Sequence, residues 1–502
     1  MKGRKSFLYM AAVIGMVLIL AGCKDQDGQA GAAHHDGHQS TVSSPSAQDT
    51  ASNPTASPVT TVTTTPEILH GPVIRLTAEE SNLDPGTGEK IPVWTYNNSV
   101  PGPQIRVKVG ETVKVILTNK LPVPTTIHWH GVPVPNDQDG VPGVTQDAVE
   151  PGQTFTYEFK ATTPGTYWYH SHQNSVQQVD KGLYGAFIVE DPKDTADRDY
   201  TLMLDEWFGA SNLYTINGKT GHAAEKLTAK PGEKVRIRMI NAGSLRHDMY
   251  LKDQMLSVVA TDGQPVNGPQ PFKDKLIGIA AGERYDIEFT MPASGGTVLE
   301  DRSEGDLAKG MTAQIVTEGS SSPEVPSTAA SAASQGNRQL SLFDYNSYGT
   351  AAKPKFSLNE QYDKEYILEL GTMQHDNGVM YTINGKAFPD VPPITVKEGD
   401  RVKVKMVNQS QNDDHPMHLH GHTFQVLERN GVPSSGAPIM KDTVDLQPGE
   451  EVTVAFLADN PGYWMYHCHV LSHASKGMMI DVNYEGYQSA YQPDEHAHNM
   501  PE

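Results

Sequence analysis

The sequence predicts an all-β chain of three tandem β-sandwich domains, on three observations. Strand-like, β-branched stretches run throughout, and 45 Gly and 35 Pro supply the turns between them. A chain of 502 residues accommodates about three domains. Above all, one strand-rich unit recurs three times.

The first copy runs Tyr96-Asn97-Asn98, then Val107 through Gly110 to Val113, and ends near Asn119. The second runs Tyr214 to Gly218, then Ala229 through Gly232 to Val235, ending at Asn241. The third runs Tyr381 to Gly385, then Val396 through Gly399 to Val402, ending at Asn408. Each reads as turn, strand, Gly-containing turn, strand. Further on, Pro151-Gly152, Ala281-Gly282 and Pro448-Gly449 each precede an alternating strand. The domains are expected at 66–192, 193–319 and 337–486, with a Ser/Ala/Pro-rich linker at 320–336 and a poorly ordered tail at 487–502.

The chain opens with Lys2, Arg4 and Lys5 ahead of an apolar run from Phe7 to Gly22. That is the pattern of an export signal, shorter than the ~20 residues of a spanning helix. The ending Leu20-Ala21-Gly22-Cys23 resembles a bacterial lipoprotein signal. The resemblance implies cleavage after residue 22, lipidation of Cys23, and an outward-facing protein anchored at the cell surface or in a periplasm. Residues 24–65, rich in Ser, Thr, Ala, Gly and Pro, then form a flexible tether. The net charge of −21 argues against nucleic acid binding.

Cysteine usage points to metal. The only cysteines are Cys23 and Cys468. With Cys23 lipidated no disulfide is possible, and metal ligation explains keeping a thiol at Cys468 in an oxidising compartment. Around it stand His467, His469, His473 and Met478. Strand alternation puts His467 and His469 on one face and Cys468 on the other, so one strand can serve two metal sites. A thiolate, His473, a more distant His and a weak axial Met478 make a blue-copper electron-transfer set.

Three more histidine pairs accompany this one: His128-Trp129-His130, His170-Ser171-His172, and His418-Leu419-His420 just after His415. His170 lies nineteen positions after Pro151, and His467 nineteen after Pro448, so the pairs occupy equivalent strands of two repeats. The middle copy has Glu300 at that place and Arg246-His247-Asp248 near the other, so it reads as a spacer without ligands. Eight imidazoles exceed one metal ion and suit a cluster of about three. A closed structural zinc site would need four ligands.

These motifs resemble those of the three-domain multicopper oxidases of the laccase-like group, over nearly all of residues 66–486. The resemblance implies three cupredoxin-like Greek-key β-sandwiches and four copper ions. It implies a type 1 copper held by His415, Cys468 and His473, with Met478 axial. His128 and His418 would hold a type 2 copper. His130, His170, His172, His420, His467 and His469 would hold a type 3 pair. The implied reaction is one-electron oxidation of a donor at the type 1 site, coupled to four-electron reduction of dioxygen to water. Asp139, nine residues after His130, matches the acid that supplies protons, although it also reads as a turn residue in Gln138-Asp139-Gly140. Ala474 stands where many bacterial relatives carry a second acid, leaving Asp442, Glu450 and Glu451 as candidates. Phenols or aromatic amines are the expected donors. The alternatives are oxidation of metal ions such as Cu(I), and copper storage, to which His34, His35, His38, His496 and His498 would contribute. A monomer is expected.

Overall fold

In the computed structural model the chain is described at residues 61–209, 212–303, 310–323, 340–376 and 378–501. Cys23, the signal region, residues 24–60 of the tether and 324–336 of the linker lie outside these residues.

The described residues form six sheets, two to a sandwich. In each sandwich a long strand pairs in parallel with the last strand of the repeated unit. Val73–Leu83 pairs with Thr112–Asn119, Arg198–Trp207 with Lys234–Asn241, and Lys364–His375 with Arg401–Asn408. In the facing sheet, Gly102–Lys108 pairs in parallel with Tyr184–Glu190, Glu225–Ala229 with Thr312–Thr317, and Ile394–Val396 with Met479–Tyr484. Parallel neighbours need crossover connections, which here run between the two sheets of a sandwich.

The recurring asparagine has a conformational cause. Asn97, Asn217 and Asn384 all take the left-handed conformation, with φ of 53°, 51° and 53°. Asn tolerates that region because its short side chain bonds locally. The Asn97 and Asn384 side-chain oxygens accept hydrogen bonds from the neighbouring strand, from Thr77 N and Glu369 N.

Alternation fills the sandwiches. Thr112–Asn119 and Arg401–Asn408 bury every second residue, among them Val113, Val115 and Leu117, and Val402, Val404 and Met406. Each such side chain contributes about 1.5–3 kcal/mol relative to exposure. The ligand strands are different. His128–His130 and Met417–Leu419 are buried on both faces, one against the sandwich core and one against a neighbouring sandwich.

The tail departs from expectation. Residues 491–501 lie against the first sandwich: Tyr491 donates to Asp147, Asn499 bonds to Asp147 and Ala148, and Gln173 donates to the His498 carbonyl. A stretch of low hydrophobicity is held here by polar bonds that composition does not display.

Candidate metal centre

The His128–His130 strand runs antiparallel to Gly165–His170, with His128 opposite His170. The Met417–Leu419 strand pairs antiparallel with Tyr463–Cys468, with His418 opposite His467 and Met417 opposite Cys468. Opposed residues share a face, so each pair of strands points two imidazoles the same way. His172 and His469 follow where the strands end. Trp129, between two cage residues, faces the other way and packs on Tyr157 and Phe159.

The four histidine pairs meet between the first and third sandwiches. His128 stacks on His420 with ring centroids 3.9 Å apart, and His130 on His418 at 3.7 Å. The Nε2 atoms of His420 and His467 are 3.0 Å apart. Metal-competent groupings overlap: His128 with His418 and His420, His128 with His130 and His170, and His172 with His420 and His467. These groupings link seven rings, and His469 joins them through ring contacts to His130 and His170, so the eight rings form one cage.

Seven of these rings commit one nitrogen to protein. The Nδ1 atoms of His128, His170, His172, His418 and His467 donate to the carbonyls of Asp139, Ser171, Pro501, Asp442 and Cys468, at 2.7–3.1 Å. His420 Nδ1 donates to Asp139 Oδ2 at 2.9 Å, and His130 Nε2 to Thr443 Oγ1 at 3.1 Å. Such bonds fix tautomer and ring orientation. The opposite nitrogens of His128, His130, His170 and His418 are buried with no hydrogen-bond partner, as are both nitrogens of His469. Burial holds the rings of His130, His170, His420, His467 and His469 well below the usual imidazole pKa, and pushes His172 down to about 3. They stay neutral, with lone pairs available. Unpaired buried nitrogens cost free energy unless something binds them, and neutral imidazole suits copper. The residues fit the metal.

Cys468 points to the other face. Its Sγ lies 3.7 Å from the Nδ1 of both His415 and His473. Ligand distances of about 2.3 Å for sulfur and about 2.0 Å for nitrogen, at a trigonal angle, require a separation of roughly this size. Burial pushes His415 down to about 3 and His473 to about 4. Ser410 holds His415 Nε2 at 2.8 Å, and Tyr381 stacks on His473 at 3.9 Å. Met478 is fully buried, its backbone bonded to Cys468 and His473. Its neighbour Met479 packs in a different cluster, with Val141 and Met465. His473 sits on a one-turn helix, Leu471–Ala474, and lines a depression of about 220 Å³ with Asp413, Asp414 and Arg246.

The acids separate clearly. Asp139, 1% exposed, ends the short helix Asn136–Gln138 and touches both His128 and His420, so it is a turn residue and a cage residue at once. Asp442 is buried 3.3 Å from His130 and 3.4 Å from His418. Burial alone would raise its pKa, but Arg284 beside it holds the carboxyl well below the usual carboxylate range. Glu450 pairs with Arg429, and Glu451 with Lys405. In the middle sandwich Glu300 pairs with Arg302, and His247 with Glu206 and Asp301. His422, next to the cage in sequence, bonds to Tyr484. Sequence reasoning missed Arg284, Thr443, Ser410 and Pro501.

Family models described as multicopper oxidase match residues 77–194, 187–299 and 362–486. The multicopper oxidase MmcO of Mycobacterium tuberculosis is 32% identical, covering 82% of this chain and 86% of its own length. A copper resistance protein A homolog of Pseudomonas syringae pv. tomato is 25% identical, covering 84% of this chain and 93% of its own. The crystal structure of a laccase from Botrytis aclada shares the fold, with a TM-score of 0.69 at 24% identity, covering 86% of this chain and 90% of that one. On these similarities and its histidine motifs, the chain belongs to the multicopper oxidase family: it is a copper-dependent oxidoreductase built of three cupredoxin sandwiches.

Proposed function

We propose that this chain is a laccase-type oxidase, taking electrons one at a time from phenols or aromatic amines and passing them to dioxygen. The observation that carries this reading is the position of Cys468. Its sulfur faces His415 and His473, while the adjoining His467 and His469 belong to the eight-imidazole cage. Bound copper, four ions in this reading, supplies one-electron redox chemistry at the mononuclear site and dioxygen reduction at the cage.

His415, Cys468 and His473 would hold the mononuclear ion, with the Met478 thioether as a further weak donor. His128 and His418 would hold the type 2 ion, and the remaining six histidines the type 3 pair. The backbone between Cys468 and its neighbours is the electron route across the strand. A weak thioether donor at Met478 would give that copper a moderate driving force, suited to electron-rich donors. Reducing dioxygen to water consumes four protons. Asp139 would pass them, a reading supported by its carboxylate lying 3.2 Å from His128 Nδ1 and 2.9 Å from His420 Nδ1. The ion-paired Asp442 is a poor donor beside Arg284. Domain limits of 66–192, 193–319 and 337–486, a single-chain active form, and lipid anchoring at Cys23 on the outer face of a membrane complete the reading.

Oxidation of a metal ion such as Cu(I) is the second reading. The acidic pair Asp413 and Asp414 beside His473, and the copper-resistance relative, favour it. Oxygen uptake by the copper-loaded protein, with a methoxyphenol and Cu(I) tested in parallel, separates the two. Strong uptake with the phenol and little with Cu(I) is expected. The reverse makes the chain a cuprous oxidase, and uptake with neither despite full loading sinks the oxidase reading in favour of copper binding.

A further inference from the structure

The middle sandwich, expected to serve as a spacer, is built into the cage through one turn, residues 280–284. Arg284 is fully buried and reaches all three sandwiches. Its Nε donates to the Thr166 carbonyl on the strand that ends in His170, at 3.2 Å. Its Nη1 and Nη2 donate to Asp442 Oδ1 and Oδ2, at 2.6 Å each. Asp442 Oδ1 in turn lies beside His130 Nε2 and His418 Nδ1, at 3.3 Å and 3.4 Å.

Glycines mark how closely this turn is fitted. At Gly282, φ +83°, a Cβ would fall 2.8 Å from His469 Cγ and 3.1 Å from His130 Cε1. At Gly131, directly after His130, a Cβ would fall 2.3 Å from Arg284 Nη2 and 2.4 Å from Asp442 Oδ2. The arginine thus fills the space that Gly131 leaves open, while the rings of His469 and His130 fill the space beside Gly282.

A buried ion pair is a weak source of stability, because desolvation offsets its Coulomb gain. A bidentate guanidinium is a strong source of geometry: its planar fork sets the carboxylate plane, and the carboxylate sets the rings that bond to it. We propose that Arg284 is a positioning residue for the cage, orienting His130 and His418 through Asp442, with Gly282 forming the wall behind His469. The proposal rests on reading the cage as a copper site.

The experiment compares Arg284→Lys and Gly282→Ala with the natural protein in copper content, type 2 electron paramagnetic resonance, type 1 absorption and melting temperature. Arg284→Lys keeps the charge and loses the fork. It should fold and keep type 1 absorption, while cage affinity for copper falls about 10–100-fold, the usual cost of losing an outer-shell partner. A type 2 signal and copper content within about twofold of the natural protein would overturn the proposal. So would equal loss of the type 1 and cage signals, which marks a general structural role. Should Arg284→Lys fail to fold, Gly282→Ala decides. It is expected to lose cage copper with type 1 absorption intact, and an undisturbed cage would refute the wall. Absence of cage copper from the natural protein would instead remove the copper reading itself.

Discussion

Cys468 and Asp139 show what single residues contribute. Cys468 was legible from composition, because a lone thiol among imidazoles calls for metal. Replacing it with Ser removes the sulfur and keeps the volume, so Cys468→Ser should fold but lose both the blue absorption and the oxidase turnover. Turnover retained without the thiolate would refute electron entry at this residue. Asp139 was ambiguous in sequence because a turn and a buried acid use the same residue type. Contacts to rings from two sandwiches, at sequence separations of 11 and 281, resolve what it touches. Asp139→Asn keeps a polar group between His128 and His420 but cannot relay protons. Turnover should fall about 10²–10⁴-fold, the usual range for losing a general acid, with copper content near native. A decrease of less than twofold in steady-state oxygen uptake would exclude the proton role.

Whole elements carry the next set of constraints. The strand Tyr463–Cys468 faces two sites because its period is two, and this was readable from spacing alone. The tail was not. Its residues are polar and its bonds go to Asp147, Gln173 and His172, more than three hundred positions upstream. The Pro501 carbonyl fixes His172 at 2.7 Å. Deleting residues 489–502 should spare type 1 absorption and lower cage copper affinity roughly 10–100-fold. Copper titration of the truncated chain tests this, and native stoichiometry at native affinity would contradict it. His247 joins the two sheets of the middle sandwich. Burial alone would lower its pKa, but bonds from Asp301 and Glu206 outweigh this and raise it to about 10. A group raised above its unfolded value of about 6.5 stabilises the fold fully below that pH and loses its contribution as pH rises through about 10. The melting temperature should therefore fall over this alkaline window. In His247→Gln the fall should be shallower, and parallel pH profiles for the two proteins would count against the imidazolium.

For the molecule as a whole, metal and domain assembly are linked. The cage draws four histidines from the first sandwich and four from the third, so metal binding ties the two together. Copper at a hundredfold excess over its Kd adds about 2.7 kcal/mol per independent site. Chelation should lower the melting temperature by several degrees, and calorimetry showing identical apo and loaded transitions would break the link. The sequence by itself determined the fold class, the threefold repeat and the histidine pairs that meet in the cage. Those follow from local periodicity and from residue types that recur at fixed spacing. Only the tertiary structure decided that the middle sandwich closes the cage. The Arg284–Asp442 pair spans 158 positions, and the second partner has no repeat-equivalent signal. A salt bridge between sandwiches depends on how three separate sheets pack against one another, and no local pattern encodes that distance.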